Sequence, residues 1–232
     1  MTKRLINLID KLEKDRILTR EELVYIIENH NKESDAYLFE KSRKVRERVY
    51  GKDVYIRGLI EFTNICKNNC YYCGIRAGAK NAERYRLTKE QISDCADAGY
   101  ELGFRTFVLQ GGEDLSYSDD DICEIVRTIK KNHKDVAVTL SIGEKTREAY
   151  QRYYDAGAER YLLRHETADK KHYEMLHPKD MSYDNRMRCL RDLKEIGYQV
   201  GCGFMVGSPY QTTDNLATDL LFIHDFKPYM VG

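Results

Sequence analysis

Three closely spaced cysteines are the residues of this chain best suited to chemistry. Cys66, Cys70 and Cys73 form a CxxxCxxC pattern, and an aromatic residue, Tyr72, directly precedes the last cysteine. Three thiolates can bind three irons of a 4Fe-4S cube and leave the fourth iron without a protein ligand. An iron with an open position can bind a small molecule. The spacing therefore predicts a 4Fe-4S cluster that takes part in chemistry as well as storing an electron.

Other roles for the triplet are open at this point. A structural zinc site uses four closing ligands, but no histidine lies between His30 and His133, and the next cysteine falls in a helical pattern. A disulfide framework is disfavoured because seven cysteines is an odd number and no secretory signal is visible. Free buried cysteines are common, so chance spacing is a further alternative. The remaining cysteines are predicted to be structural, as helix packing residues or, for the last, a strand residue: Cys95, Cys123, Cys189 and Cys202.

The composition is typical of a cytoplasmic enzyme. The 232 residues include 38 basic and 38 acidic side chains, and this neutrality gives no support for a nucleic-acid or anionic-membrane partner. The start, MTKRLINLIDKLEKD, is amphipathic and interrupted by charge, and no apolar run is long enough to span a bilayer. An exposed iron–sulfur cluster also favours a reducing, anaerobic interior. We therefore expect a cytoplasmic chain with one large domain.

A repeated strand–helix unit follows a helical start. Residues 1–50 predict helices, one of them opened by a capping box between Thr19 and Glu22. Six predicted strands then alternate with helices, at residues 54–62, 105–110, 136–141, 160–164, 198–207 and 228–232. The alternation indicates an α/β fold of parallel strands with right-handed crossovers, which is either a barrel or a doubly wound sheet.

The positions of the polar motifs favour a (β/α) barrel of the TIM type. The cysteines follow the first predicted strand, and polar stretches end the second and fourth strands. A barrel builds its active site from the loops at these strand ends, whereas no GxGxxG follows the first strand to support a doubly wound sheet. The chain ends on the sixth strand without a covering helix. We therefore expect a partial barrel over residues 51–232, cut short of its last βα units, behind an N-terminal helical extension over residues 1–50.

Several longer stretches make the pattern more specific. The run GLIEFTNICKNNCYYCGIRAGAKNAERYRLTKEQI resembles the cluster loop of the HydE family of radical S-adenosylmethionine (SAM) enzymes. The stretches LQGGED, VTLSIGE, LRHETAD, LHPKDMSYDNRMRCL and GCGFMVGSPYQT resemble the same family and keep its order. The cysteine triplet alone is similar to the whole radical SAM superfamily. The resemblance implies an eight-stranded barrel, of which six strands are visible in this sequence.

The resemblance also implies an activity. In the superfamily the amine and carboxylate of SAM chelate the open iron, and an electron from an external donor cleaves SAM to methionine and a 5'-deoxyadenosyl radical. The implied substrate is a small iron–cysteine complex on the way to the diiron cofactor of iron-only hydrogenase, or an amino-acid-like molecule, and the implied partners are hydrogenase maturation proteins. Two alternatives stay open. One is a radical SAM enzyme similar to methylornithine synthase or biotin synthase, and the other is a non-catalytic fragment that binds an iron–sulfur cluster or SAM.

The resemblance assigns several residues to SAM binding. Tyr72 is expected near the adenine, with loop packing as the alternative. Gly111, Gly112 and Glu113 match the superfamily's GGE motif, which receives the SAM amino group, and glycines there let the backbone approach a ligand closely. Gln110 ends the second strand and is expected to reach inward.

SAM is a zwitterion with a sulfonium, so its site needs both charge signs. Glu166 is expected to bind a cationic group of the ligand, and Arg186 is expected to bind the carboxylate through a bidentate fork. Both match positions that bind SAM in HydE. The alternative for Arg186 is an exposed helix charge, because it lies in an arginine-rich stretch.

Other residues are expected around the substrate. Thr139 and Ser141 share one face of a strand by the period of two and are expected to line the cavity or to bond the backbone. Arg164 shares a face with Glu166 and is favoured for the cavity, while its neighbour His165 is expected to be structural. Met205, together with Gly207, is expected on the floor of the substrate chamber, with core packing as the alternative.

Overall fold

A computed structural model describes the whole chain, from Met1 to Gly232, as nine helices and six strands. The helices are α1 (Lys3–Asp15), α2 (Arg20–Asn29), α3 (Lys32–Tyr50), α4 (Lys89–Glu101), α5 (Asp119–Asn132), α6 (Arg147–Asp155), α7 (Lys170–Leu176), α8 (Tyr183–Ile196) and α9 (Thr213–Phe226). The strands are β1 (Gly58–Thr63), β2 (Thr106–Gly111), β3 (Ala137–Ser141), β4 (Arg160–Leu162), β5 (Gln199–Cys202) and β6 (Met230–Val231).

The six strands form one parallel sheet. Their order is β1-β2-β3-β4-β5-β6, so each strand pairs with the next strand along the chain. A doubly wound sheet reverses its strand order at a switch point, and no reversal occurs here. The predicted α/β barrel-type arrangement is confirmed, and β1 and β6 are the two edges of the sheet.

The two faces of the sheet differ because residue types alternate along each strand. The residues that face the helices are apolar and buried in one core cluster, and they include Ile60, Phe62, Phe107, Leu109, Val138 and Leu140. Polar residues alternate with them on the other face, among them Glu61, Gln110 and Ser141. Burial of the apolar face against α4, α5, α6 and α8 leaves the polar face free to build a site.

Capping residues set the helix starts. The predicted box between Thr19 and Glu22 opens α2, and Thr88 with Gln91 opens α4 in the same way. The N-cap of α8 is Ser182, whose hydroxyl accepts the N–H of Asn185. These side chains satisfy N–H groups that lack partners in the first helical turn.

The N-terminal helices pack on α9. Leu8, Leu18 and Leu23 form a small apolar cluster with Ala217 of α9. Arg20 adds polar contacts, because its guanidinium donates 2.6 Å hydrogen bonds to Asp214 and Thr218. No helix in the chain combines the length and the apolarity that a membrane crossing requires.

The structure corrects several expectations about local structure. The first strand begins at Gly58 rather than at residue 54, and residues 54–56 are exposed. The fifth strand ends at Cys202, and only an isolated bridge between Glu166 and Phe204 continues the pairing. Helix α7 was not predicted, because its seven residues carry too short an apolar pattern. Cys95 is exposed at the margin of the buried face of α4, so the prediction that it packs in the core is wrong.

Candidate functional site at the strand ends

A cavity of about 360 Å³ opens at the C-terminal ends of the strands. Apart from Thr139 and Met205, the predicted site residues line it: Cys66, Cys70, Cys73, Tyr72, Gln110, Gly111, Gly112, Glu113, Ser141, Arg164, Glu166 and Arg186. They come from the loop after β1, the ends of β2, β3 and β4, and the first turn of α8. Parallel strands end on one side of a sheet, and this geometry brings together residues that are far apart in sequence.

The loop that carries the cysteines is tied down by one arginine. The guanidinium of Arg84 donates hydrogen bonds to the carbonyl oxygens of Asn64, Ile75, Arg76 and Ala79, at 2.9 Å for Ile75 and 2.8 Å for Arg76. A planar group with five N–H donors is suited to bridging several carbonyls at once. Arg84 therefore joins the start of the cysteine loop to the segment that follows the last cysteine.

The three cysteines of the loop are half-buried free thiols. The Sγ of Cys66 accepts the backbone N–H of Glu113 at 3.3 Å. Burial raises the pKa of the Cys70 thiol to about 11, although the Arg186 guanidinium opposes the shift. A free Cys70 is therefore protonated at neutral pH, and binding of its sulfur to a metal would release a proton.

The positions of the three thiols bear on the kind of metal site that they could form. No group of three or more His, Cys, Asp or Glu side chains in the chain is arranged to hold a metal ion. The ligands of a zinc ion converge on one centre, whereas the thiolates of a 4Fe-4S cube bind different irons and stand further apart. Three thiols around one cavity are compatible with the cube.

Two glycines let the end of β2 pass under the cysteine loop. A β-carbon on Gly112 would lie 2.2 Å from the carbonyl oxygen of Ile65 and 2.7 Å from the Cβ of Cys66. A β-carbon on Gly111 would lie 2.8 Å from the Cγ2 of Thr63. The sequence predicted that these glycines allow close approach of a ligand. In the fold, the group that packs closely against these glycines is the cysteine loop itself.

Glu113 braces the same region. Its buried carboxylate lies 3.2 Å from the Nζ of Lys67 and accepts the backbone N–H of Glu144 at 2.9 Å. Gly143, at φ +77°, packs so closely that a β-carbon there would lie 2.2 Å from the Glu113 Oε1. Both carboxylate oxygens are thus engaged within the protein. That the motif receives the SAM amino group stays a prediction.

Glu166 and Arg186 supply the two charges of the cavity. Glu166 lies just beyond β4 with a left-handed φ of 68°. Burial raises the pKa of its carboxyl group, while Arg186 and Arg164 oppose the shift. Arg186 is 6% exposed, so the alternative of an exposed helix charge is wrong.

The fork of Arg186 is already partly occupied. Its Nε donates to the Oε1 of Glu144 at 2.6 Å, and its Nη1 donates to the carbonyl oxygen of Arg164 at 2.7 Å. Burial lowers the pKa of Arg186, but the Glu144 carboxylate outweighs burial and raises it. Arg186 is therefore a fixed cation, and two of the groups that would form a bidentate fork have partners inside the protein.

Tyr72, the aromatic residue before the last cysteine, is held in place by a contact of its hydroxyl group. The Tyr72 oxygen lies 3.0 Å from the Nε2 of His177, and the two rings meet edge to face at 5.3 Å. Burial lowers the pKa of His177 to about 4, so its imidazole is neutral at neutral pH. The ring of Tyr72 lines the cavity between two cysteines, where it can pack in the loop and contact a ligand.

Two predicted residues lie outside the cavity. Thr139 sits deeper than Ser141 on the same strand, is 1% exposed, and its Oγ1 has no hydrogen-bond partner. Met205 is half-buried outside the apolar core, and its backbone N–H donates to the carbonyl of Glu166 at 3.0 Å. Gly207 is exposed with a φ of +80°. Neither Met205 nor Gly207 lines the cavity, and that they shape the floor of the substrate chamber stays a prediction.

His165 is fully buried and does not line the cavity, as the alternation along the chain predicted. Its Nε2 lies 3.3 Å from the Oδ1 of Asp219 in α9, without the alignment of a hydrogen bond. The ring also packs 4.5 Å from that of Phe222. His165 therefore packs the segment after β4 against α9 and does not face the cavity.

Several lining residues were not predicted: Glu61, Thr63, Asn64, Asn68, Ile75, Tyr85, Gly143, Leu162 and Leu163. Glu61 is the most informative of them, because its Oε1 accepts the Nε2–H of Gln110 at 3.1 Å. A sequence signal existed for it. Glu61 is a charged residue between apolar residues of a strand, and such a residue must face away from the core.

Comparison with known proteins agrees with this geometry. The profile of the radical SAM superfamily matches residues 60–223, which include the cysteine loop and the charged pair. The chain belongs to the radical SAM superfamily. The prediction made from the cysteine spacing and the strand-end motifs is confirmed at this level.

Individual radical SAM proteins are similar over most of the chain. The FeFe hydrogenase maturase subunit HydE of Thermotoga maritima is 46% identical over 227 residues, which are 97% of this chain and 64% of that protein. The 3-methylornithine synthase of Methanosarcina barkeri is 30% identical, over 85% of this chain and 56% of that protein. The crystal structure of methylornithine synthase (PylB) matches with a TM-score of 0.88 and 28% identity, over 97% of this chain and 66% of that chain. The chain thus spans less than two thirds of each.

The cofactors of the superfamily, a 4Fe-4S cluster and SAM, are compatible with the cavity. Its volume of about 360 Å³ lies within the range of small-molecule sites. Cysteine thiols are the donors that an iron–sulfur cluster requires. The carboxylate of Glu166 and the guanidinium of Arg186 match the two signs of charge that SAM carries.

Proposed function

We propose that this chain carries the SAM-cleaving part of a radical SAM enzyme that acts in the maturation of iron-only hydrogenase. The observation that carries the proposal is a single cavity lined by three thiols, a carboxylate and a buried guanidinium. The identity of 46% to HydE, against 30% to methylornithine synthase, favours hydrogenase maturation over methylornithine synthesis. Because the chain spans 64% of HydE, the proposal concerns the activity of the part that the two share.

Each group in the cavity has a task in this proposal. The thiols of Cys66, Cys70 and Cys73 would hold the cluster, and Glu166 and Arg186 would orient the SAM zwitterion. When bound, the cluster supplies one-electron reduction of the SAM sulfonium, which gives methionine and a 5'-deoxyadenosyl radical. The protein must hold SAM in one geometry and exclude water from the radical. Because Arg186 is already fixed, less conformational entropy is lost when SAM binds.

The interior side of the cavity suggests the class of substrate. Glu61 and Arg164 line it with opposite charges, and neither side chain forms a salt bridge within the protein. Gln110 adds an amide at the end of β2, where its Nε2 donates to the Oε1 of Glu61. Groups of both signs are suited to a small zwitterion, which supports an iron–cysteine complex or another amino-acid-like molecule. An external electron donor and the other hydrogenase maturation proteins would be the partners.

Anaerobic reconstitution tests the proposal. The chain is loaded with iron and sulfide, iron per chain is measured, and 5'-deoxyadenosine is quantified by mass spectrometry after addition of SAM and a reductant. We expect one 4Fe-4S cluster and SAM-dependent 5'-deoxyadenosine. The matched control replaces the cysteines of the triplet by alanine, and a second control replaces the exposed Cys95. Loss of both signals is expected only in the first control.

The outcomes separate the alternatives. A cluster that binds SAM without releasing 5'-deoxyadenosine would identify a non-catalytic binder. Formation of 3-methylornithine would identify the second enzyme class. Restoration of hydrogenase activity in a maturation mixture that lacks HydE would support the proposed role, and tightly bound zinc in place of iron would refute the cluster assignment.

A further inference from the structure

The connection between α7 and α8, residues 177–182, runs against the second half of the cysteine loop. The carbonyl oxygen of Leu176, at the end of α7, accepts the N–H of Tyr71 at 3.0 Å. The thioether of Met181 lies 3.5 Å from the Sγ of Cys70. The cysteine loop and the α7–α8 connection are about 105 residues apart in sequence, so only the tertiary fold brings them together.

His177 makes the next contact of this connection, and its protonation pattern is determined by its partners. The Nδ1 lies 2.8 Å from the carbonyl oxygen of Tyr173, which can only accept a hydrogen bond. The Nδ1 therefore carries the proton, and the Nε2 is left as an acceptor. The Tyr72 hydroxyl, 3.0 Å away, must be the donor of that bond.

The His177 ring has little freedom to move. It stacks on the ring of Tyr173 with a centroid distance of 3.8 Å and an interplanar angle of 19°, and the side chain is buried. The ring is thus fixed by stacking on one side and by hydrogen bonds at both nitrogens. An acceptor held in this way can fix the orientation of the group that donates to it.

The other half of the loop is held from a different side. Cys66 contacts the N–H of Glu113, and the N–H of Lys67 donates to the carbonyl of Glu113 at 3.1 Å. The contacts from the end of α7 and from the α7–α8 connection reach Cys70, Tyr71 and Tyr72 instead. The two halves of the loop therefore have separate supports, which can be perturbed one at a time.

We propose that His177 is a positioning residue for the cysteine loop, and that it shapes the Cys70–Cys73 half before a cluster binds by accepting the Tyr72 hydroxyl. The inference rests on the proposed function only in naming the cluster as the ligand of the loop. The contacts on which it is based are contacts of the metal-free chain. A loop held in its binding shape loses less conformational freedom when the ligand arrives.

The test uses the full metal-free chain and measures the alkylation rate of each cysteine by peptide mass spectrometry. In His177→Leu we expect faster alkylation of Cys70 by about tenfold, because loss of one buried hydrogen bond shifts local opening by that order. The rate at Cys66 should stay unchanged. Gln places an amide near the position of Nε2, so His177→Gln should return the Cys70 rate to near the wild-type value.

Two further variants separate positioning from general destabilisation. Tyr72→Phe removes the donor, so it should match His177→Leu, and the double variant should be no worse than either single variant. His172→Leu is the matched control, because His172 is buried in α7, directly before the connection, but contacts Thr167 and Pro209. It should leave the ratio of the Cys70 and Cys66 rates unchanged.

Two results would overturn the proposal. One is an unchanged Cys70 rate in His177→Leu, and the other is strict additivity with Tyr72→Phe. Because the readout needs neither iron nor SAM, failure of SAM cleavage would count against the proposed function and not against this inference. In the loaded protein, His177→Leu should also lose iron to a chelator faster than His172→Leu.

Discussion

Replacing Gly112 by alanine tests how tightly the end of β2 packs against the cysteine loop. The added β-carbon would lie 2.2 Å from the carbonyl oxygen of Ile65, 2.8 Å from its carbonyl carbon and 2.7 Å from the Cβ of Cys66. These atoms belong to the loop backbone or to its first side-chain carbon, so no rotamer change can relieve the overlap. The loop itself must move by about 1 Å to restore ordinary contact.

The expected cost follows from that displacement. Overpacking a tight site costs about 1–3 kcal/mol. Two weaker contacts are also at risk, namely the 3.2 Å bond from the Gly112 N–H to Thr63 and the 3.3 Å contact from the Glu113 N–H to Cys66. We therefore expect the free energy of unfolding of the metal-free chain to fall by about 2–4 kcal/mol. Iron loading should fall with it, because Cys66 is displaced.

A matched control lies in the same loop. A β-carbon on Gly74 would meet no atom within 4 Å, and its backbone does not occupy the left-handed region. Gly74→Ala should therefore leave stability within about 1 kcal/mol of the wild type, or raise it slightly. Urea denaturation of the metal-free chains and iron per chain after anaerobic reconstitution are the two measurements. Wild-type values of both in Gly112→Ala would refute the packing argument.

Three further predictions concern charges around the cavity. Glu166→Gln should weaken SAM binding to the cluster-loaded protein by about 2–4 kcal/mol in isothermal titration, whereas Glu174→Gln, at an exposed position of α7, should not; equal affinities would remove Glu166 from the site. Arg84→Lys should lower iron loading and raise amide exchange across the cysteine loop, because an ammonium cannot bridge four carbonyls; unchanged exchange would contradict the bracing role. Burial acts to raise the pKa of Asp114, but its hydrogen bonds, led by that from Arg86, outweigh burial and hold the pKa at about 2. Asp114→Asn should therefore cost about 2 kcal/mol at pH 7, and the difference from wild type in urea denaturation should shrink as the pH falls from about 4 to 2; a difference independent of pH would show that the charge is not responsible.

Local patterns in the sequence were sufficient for much of the fold. All six predicted strands are present, and the capping box of Thr19 and Glu22 marked the start of α2 correctly. Strand lengths were less well predicted, because β1 and β5 are shorter than their apolar patterns. Helix α7 was missed since its seven residues are stabilised by packing and by the Asp169 cap rather than by a long amphipathic pattern.

The sequence by itself determined the kind of chemistry. Cysteine spacing is a local property, and the position of Glu166 beyond a strand end follows from strand order, so both could be placed in one site without coordinates. The partners of each group were decided only by the tertiary structure. The contact of Arg186 with Glu144 and the contact of Tyr72 with His177 join segments 42 and 105 residues apart.

Depth within the barrel was the other property that sequence left undecided. Thr139 and Ser141 share a strand face, yet only Ser141 reaches the cavity, because two residues along a strand is the distance between its open end and its packed interior. Met205 does not line the cavity, although its backbone N–H donates to the carbonyl oxygen of the lining residue Glu166. Residue type and spacing thus fix which groups are present and which way a strand faces. Where the cavity ends depends on how the strands and loops pack around it.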